Sequence, residues 1–351
     1  MSRGKVLWRW FRRSASVVKR NAAIRMAPFA ASLRSPRQIV SAWPEGAPRL
    51  GPRVAALMHF ESSGAVSVEV MAYARELALN GYCVVFVTNS GCLAQSALEA
   101  LKQHCAAIFV RRNIGYDFGA WRDVIETLGL PRPGMTELLL LNDSMHGPLR
   151  PLRATLARLD YAAADIWGLT DSWQRCYHLQ SYFLGFGETA LRAPAFAAFW
   201  RNVLPVRWKS YVIHAYEIGF TQAMLKAGLR CRAVWPYEEL IDQVTTPAVL
   251  DGIIRSERFR AARHDPLVRA RNEQIHRIRS AGARQVAVNP TADLWRQLLH
   301  AGFPFLKREL LRKNPSKVAD IADWVATLRA EGLDPEPVLN ALRGRLKNRA
   351  P

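Results

Sequence analysis

A run of four leucines, Leu138–Leu141, stops abruptly at Asn142-Asp143-Ser144 and continues as Met145-His146-Gly147-Pro148. An apolar run of this length predicts a buried strand, and its polar end puts the Asp143 carboxylate at a sheet edge. Asn142, Asp143 and Ser144 offer oxygens of the kind that Mg2+ or Mn2+ prefers beside a diphosphate, and they would equally close a strand as an Asx turn. His146 reads as a ligand or phosphate contact, or as a structural histidine. A second candidate is Arg111-Arg112-Asn113-Ile114-Gly115-Tyr116-Asp117-Phe118-Gly119, between a strand and a helix. Its glycines permit close backbone approach, a helix N-terminus favours anions, and its arginines can pair with a diphosphate. Asp117 also reads as a helix cap. The segment is neither a P-loop nor a GxGxxG fingerprint, so ATP and NAD are not indicated.

Two further segments carry usable groups. His178-Leu179-Gln180-Ser181-Tyr182-Phe183-Leu184 alternates as a strand would, with His178, Gln180 and Tyr182 on a polar face suited to sugar hydroxyls or simply to an edge strand. Tyr216-Glu217-Ile218-Gly219 reads as a helix start, where Glu217 is either favoured by the macrodipole or poised as a general base. Nothing matches a Ser-His-Asp set, a GxSxG elbow or HExxH. The aromatic clusters near Phe196–Trp200 and Trp295–Phe305 have helical spacing and read as core.

The elements that would position these groups alternate in type. Strands are expected at Arg53–Phe60, Tyr82–Thr88, Ala106–Val110 and Glu137–Leu141, and helices at Val66–Leu79, Leu93–Lys102 and Phe118–Leu128. This order implies βαβ units and an α/β fold: a mostly parallel, Rossmann-like sheet flanked by helices. Ligands of such sheets bind at the carboxyl ends of the strands, so His59, Glu61, Thr88, Asn89, Arg111–Asp117 and Asn142–Ser144 should line a site. Further on, strands are expected at Ile166–Thr170, His178–Phe186 and Arg230–Trp235, with helices at Thr189–Val203 and His214–Ala227. Residues 251–285 suggest a charged helical connector. Three regions result: residues 1–50, a basic segment and Pro/Gly linker; 51–250, the α/β domain; and 251–351, a helical C-terminal extension.

The chain has 351 residues, half of them hydrophobic, and a formal net charge of +20. Such a charge attracts nucleic acid, an anionic membrane or a phosphorylated substrate. Residues 1–40 carry Lys and Arg from Arg3 to Arg37 and no acid, interleaved with Leu7, Trp8, Trp10 and Phe11. That pattern suits either an interfacial segment on an anionic leaflet or a solvated basic tail. No nucleic-acid-binding module stands behind it, so nucleic acid is not expected as a partner. No apolar stretch approaches the roughly 20 residues of a membrane span, and no secretory signal is evident. The five cysteines are scattered and form no CxxC pair, which fits a reducing compartment. The expectation is a cytoplasmic protein that could touch the inner face of the membrane without spanning it.

Taken in order, Asn113–Trp121, the strand ending in Asn142-Asp143-Ser144 with Gly147-Pro148, His178–Phe183, Tyr216–Thr221 and Gly302-Phe303-Pro304-Phe305-Leu306-Lys307-Arg308-Glu309 resemble the rhamnan synthesis protein F family. The likeness extends over roughly residues 53–325, with Asn289-Pro290-Thr291 and Asn314-Pro315 in the tail. It implies a glycosyltransferase of A-type fold, inverting, that moves rhamnose or a related sugar from a nucleotide-sugar such as dTDP-rhamnose to a lipid-linked glycan. The product would be a cell-surface polysaccharide such as the O-antigen of lipopolysaccharide. On that pattern Asn113 and Gly115 match the donor-binding segment, Asp143 the acidic motif and Glu217 the base. His59, Thr88, Asn89, Arg111, Asp117, Asn142 and Ser144 complete the expected donor site, and His178, Gln180 and Tyr182 the acceptor site. Asn142-Asp143-Ser144 departs from the pattern in offering one carboxylate where two or three are usual, which opens the question of a metal. A non-catalytic assembly partner that retains the fold is the alternative.

Overall fold

A computed structural model of the chain describes residues 38–246 and 265–347, and for 345–347 only the backbone. The basic head up to residue 37 and the first part of the expected connector, 251–264, lie outside the described residues.

The main sheet grows from four parallel strands: β2 (Arg53–His59), β3 (Cys83–Thr88), β4 (Cys105–Arg111) and β5 (Glu137–Asn142). They lie in the order β4-β3-β2-β5, all parallel. Helices α1 (Val68–Leu79), α2 (Gln95–Lys102) and α3 (Tyr116–Leu128) make the crossovers. Strand β1 (Ile39–Trp43) adds antiparallel to β4 at one edge. It covers part of what was expected as linker: a short, mostly exposed edge strand followed by Pro44 has no buried face to show in sequence.

Beyond β5 the sheet continues through β7 (Ile166–Ser172), β8 (His178–Leu179), β9 (Phe183–Gly187) and β10 (Cys231–Trp235). Strand β9 is antiparallel to both β5 and β7, and β10 is parallel to β7. The carboxyl ends of β2, β3, β4, β5, β7 and β10 therefore share one edge. The α/β class, the largely parallel sheet and the helical C-terminal region agree with expectation.

Alternation along β5 divides the interior. Leu138 and Leu140 join Phe118, Trp121, Phe186, Phe196, Trp200 and Phe220 on one face, while Leu139 and Leu141 join Tyr73, Leu77, Phe86, Phe303 and Phe305 on the other. The aromatic clusters are core, as their spacing implied.

Three local expectations need correction. The helix expected over Thr189–Val203 is two, Glu188–Arg192 and Pro194–Arg201, because Pro194 forces Ala193 into an extended conformation and opens a new helix. The single strand expected over His178–Phe186 is β8 and β9, interrupted where Gln180 and Tyr182 both bond the Thr170 hydroxyl. Glu217 does not open a helix. It lies in a wide, π-type stretch, Val212–Ile218, between Lys209–Tyr211 and Gly219–Lys226, so no helix N-terminus acts on it. Such π turns are rare and concentrate at functional sites.

The C-terminal region is not a simple appendage. Strand β11 (Leu306–Lys307) pairs with β6 (Met145–His146), immediately after Asp143-Ser144. Its own core holds Trp295, Leu299, Leu310 and Leu328. All five cysteines are free. Among the described residues no helix is long and apolar enough to cross a membrane.

Candidate functional site

A cleft of about 920 Å³ opens at the carboxyl edge of β2–β5. From the strand ends come Phe60, Glu61, Asn89, Asn113, Asp117, Asn142, Asp143 and Ser144; facing them are Lys209, Arg308, Glu309, Arg312 and Lys313. One wall is the start of α3, where Gly115 has φ +89° and Tyr116, though not a glycine, has φ +53°. A Cβ on Gly115 would lie 2.9 Å from the Gly119 Cα and 3.2 Å from the Pro205 Cα, so only glycine fits. The strained Tyr116 is held by Asn89, whose side-chain amide donates to the Tyr116 carbonyl at 3.1 Å, and by its own hydroxyl on the Arg207 carbonyl at 3.2 Å. Backbone strain kept in place by such contacts is typical of binding sites.

Four carboxylates line the cleft: Glu61, Asp117, Asp143 and Glu309. The Asn142 amide donates to Asp117 Oδ2 at 2.7 Å and its oxygen accepts from the Ser144 N–H at 3.0 Å, an Asx turn that fixes Asp143 between them. Asp143 Oδ2 stands 3.5 Å from Arg308 Nη1 and 4.0 Å from His59 Nε2. Arg308 is itself anchored: its Nε donates to the Met145 carbonyl at 3.0 Å and its Nη2 to Glu69 at 3.3 Å.

Asp117 is half-buried, and its pKa is pushed up from 3.8 to about 7, first by desolvation and then by the charge of Asp143. Because the folded pKa lies above the unfolded one, the group's stabilising contribution is complete below about pH 3.8 and is lost as the pH rises through about 7. Asp117→Asn should therefore flatten the fall in urea stability between about pH 4 and pH 7, measured by equilibrium unfolding. An unchanged slope would show that Asp117 keeps an ordinary carboxylate pKa.

The expected site residues divide into three groups. Asn89, Asn113, Asp117, Asn142, Asp143 and Ser144 line the cleft, and Gly115 shapes its wall. His59 and Thr88 are buried behind it: the Thr88 hydroxyl is 3.1 Å from His59 Nδ1, and the ring backs Asp143. The remaining expectations are corrected. Arg111 is fully buried, with Nε and Nη2 on Asp123 at 3.1 and 2.9 Å, Nη1 on Asn89 and Nη2 on the Ile114 carbonyl, so it braces the turn and does not meet a donor. His146 is buried with Nδ1 3.1 Å from both Glu69 oxygens, and it lines an adjoining cavity that shares Glu61, Ser63 and Arg308 with the cleft, so it stands beside the cleft and not in its lining. His178, Gln180 and Tyr182 are buried too. His178 Nδ1 sits 2.9 Å from the Cys176 carbonyl, and the other two each lie 2.8 Å from the Thr170 hydroxyl, so none offers a face to an acceptor.

Glu217 accepts from the Ser181 N–H at 3.2 Å and from its hydroxyl at 2.9 Å, and its charge is felt by both Asp117 and Lys307. Lys209, Arg308, Arg312 and Lys313 were not expected in the site. The stretch Leu306-Lys307-Arg308-Glu309 stood out in sequence, yet only the β6–β11 pairing shows that it folds back over Asp143.

A divalent cation takes oxygen ligands and leaves room for a diphosphate's own oxygens. Asp117 and Asp143 fit that role as a pair, although no cluster of three or more His, Cys, Asp or Glu is arranged for a metal among the described residues. The field Asp143 exerts on Asp117 is the repulsion such a cation would relieve.

Fold and cleft together define an α/β protein with a candidate ligand cleft, of mixed acid and base, at the carboxyl edge of its sheet. The family model for rhamnan synthesis protein F matches residues 84–251. The virulence protein VirA of Vibrio anguillarum (strain ATCC 68554 / 775) is 30% identical over 239 residues, 67% of this chain and 71% of that protein. The chain belongs to the rhamnan synthesis protein F family. Among solved structures, one from Desulfovibrio desulfuricans G20, provisionally described as a nucleotide-diphospho-sugar transferase, has a TM-score of 0.31 at 13% identity, covering 62% of this chain and 96% of that one. The mannosyltransferase PcManGT of Pyrobaculum calidifontis, solved with GDP-Man and Mn2+, has a TM-score of 0.29 at 14% identity, covering 95% and 90%. Scores this low transfer no ligand or residue role from those proteins.

Proposed function

We propose that this chain is a glycosyltransferase that takes a sugar from a nucleotide-sugar donor. The observation that carries this is the cleft itself: Asp117 in the first turn of α3 and Asp143 at the end of β5 line, together with Lys209, Arg308, Arg312 and Lys313, a space of about 920 Å³. A diphosphate in such a cleft would meet cationic side chains and, beside them, oxygen ligands for a cation. Asn89, Asn113 and the Gly115 turn offer the remaining wall to the nucleotide. A divalent ion such as Mg2+ or Mn2+, held by Asp143 with Asp117, would supply further neutralisation of the leaving group.

Transfer is then an inverting displacement. The acceptor hydroxyl gives its proton to Glu217 and its oxygen bonds to the anomeric carbon as the bond to the diphosphate breaks. Lys209 and Arg308 stabilise the negative charge that develops on the departing diphosphate, in general the largest contribution to such catalysis. Family membership supports a finer reading: rhamnose or a related sugar, from a donor such as dTDP-rhamnose, added to a lipid-linked glycan that becomes cell-surface polysaccharide. The cationic first forty residues would hold the enzyme on the anionic inner membrane face where such an acceptor is made.

A thermal-shift screen of dTDP, UDP and GDP, with Mn2+ or with chelator, tests the donor site. At least one nucleotide diphosphate should raise Tm, by about 2.7 kcal/mol of stabilisation at a hundredfold excess over Kd. No shift with any of them would favour a non-catalytic assembly partner.

A further inference from the structure

Strands β5 and β7 are each antiparallel to β9, so the end of β7 lies on the same sheet edge as Asp143. The chain leaves β7 as Trp173-Gln174-Arg175-Cys176-Tyr177, a loop sewn along the helical stretch that carries Glu217. Arg175 donates to His214 Nδ1 at 3.2 Å, Gln222 to the Tyr177 carbonyl at 2.7 Å, and the Leu179 N–H to the Thr221 hydroxyl at 3.1 Å. Ser181 completes the seam on Glu217. Arg175 takes a left-handed φ of +76°, a strained turn that the seam holds.

On this fixed loop Trp173 is 46% exposed, its ring set edge-on to Tyr177 at 5.2 Å. A tryptophan held open by its neighbours presents a negative π face to partly positive C–H groups. Beside it runs a chain of polar side chains from the C-terminal region. Asn289 Nδ2 donates to Gln174 Oε1 at 3.3 Å, the Thr291 hydroxyl donates to Asn289 Oδ1 at 3.0 Å, and Lys307 Nζ donates to the Thr291 hydroxyl at 3.1 Å. Lys307 is the neighbour of Arg308, which reaches Asp143.

We propose that Trp173, Gln174, Asn289 and Lys307 form a carbohydrate subsite for the acceptor, taking a pyranose whose C–H face stacks on Trp173 and whose hydroxyls meet the amides and the ammonium. The assignment of this sugar as the acceptor rests on Glu217 serving as base in the proposed reaction. Burial lowers the Lys307 pKa while the charges of Glu217 and Glu309 oppose that shift, so Glu217 lies within electrostatic reach of the subsite. In place of the buried trio His178, Gln180 and Tyr182 the subsite uses the exposed Trp173 and Gln174 of the same β7–β9 segment, with the half-buried Asn289 and Lys307 of the C-terminal region.

Saturation-transfer NMR of the full chain with a panel of methyl pyranosides tests it. At least one pyranoside should receive saturation on its ring C–H face, with binding about tenfold weaker in Trp173→Ala and in Asn289→Ala. Nucleotide-diphosphate binding by the same variants should match the unaltered protein. No pyranoside binding to the unaltered chain, or equal binding by both variants, overturns the subsite. Pyranoside binding that depends on Trp173, in a chain that binds no nucleotide diphosphate, keeps the subsite and removes the transferase reading.

Discussion

Asp143→Asn is expected to lower sugar transfer by about 10²–10³-fold, the scale of losing one preorganised electrostatic contact at a leaving group. The substitution keeps the shape of the side chain and removes its charge. The Asx turn that places residue 143 comes from Asn142, and the backbone N–H of Asp143 bonds the Met58 carbonyl at 3.1 Å, so the strand end should stay as it is. Arg308 and His59 would face a neutral amide in place of the carboxylate at 3.5 and 4.0 Å. A second readout separates lost chemistry from misfolding. Asp143 is one cause of the raised Asp117 pKa, so the Asp117 titration should move down from about 7 in the variant. Steady-state transfer together with carboxyl NMR would check both, and wild-type turnover by Asp143→Asn would remove Asp143 from the reaction.

Glu217→Gln should cost about 10²–10⁴-fold in transfer to the acceptor, the usual worth of a general base, and leave donor binding unchanged. Glutamine retains an oxygen for the Ser181 N–H and hydroxyl, which now hold the carboxylate at 3.2 and 2.9 Å, so its position should persist. What disappears is the ability to accept the hydroxyl proton as the new glycosidic bond forms. Single-turnover transfer compared with nucleotide-diphosphate titration separates these effects. A variant that transfers normally would show that another group takes the proton; a variant that loses donor affinity would place Glu217 on the donor side.

The two carboxylates also show how unevenly the sequence reports a site. Asp143 was legible because a buried parallel strand must be apolar throughout, and its first polar residues therefore mark the ligand edge. Asn89, Asn113 and Asp117 followed from the same rule applied to β3, β4 and the start of α3, and all of them line the cleft. Arg111 satisfied the rule and still lies elsewhere, because its guanidinium found a buried partner in Asp123, about two turns into α3 and invisible to strand periodicity. Period-two alternation likewise predicted a polar face for His178, Gln180 and Tyr182. Thr170, on the neighbouring strand β7, turned two of those side chains inward. For Glu217, residue type pointed to a base, but its place within a π-type stretch depends on how that helix packs against β8 and not on any cap in the sequence.

What the chain's own pattern determined is the α/β alternation, the four parallel strands and the edge on which their ends meet. These rest on local apolar periodicity, which any segment of strand or helix carries within itself. Tertiary structure alone decided which side chains face one another across that edge. Arg308 lies 165 positions after Asp143 and yet comes within 3.5 Å of it, because a two-residue strand, Leu306–Lys307, pairs with Met145–His146. Two residues carry no periodicity to read, and a pairing between distant segments is set by the packing of the whole core. The carboxylates at the sheet edge were therefore written in the sequence, while Arg308, Arg312 and Lys313 join them only once the C-terminal region has folded back.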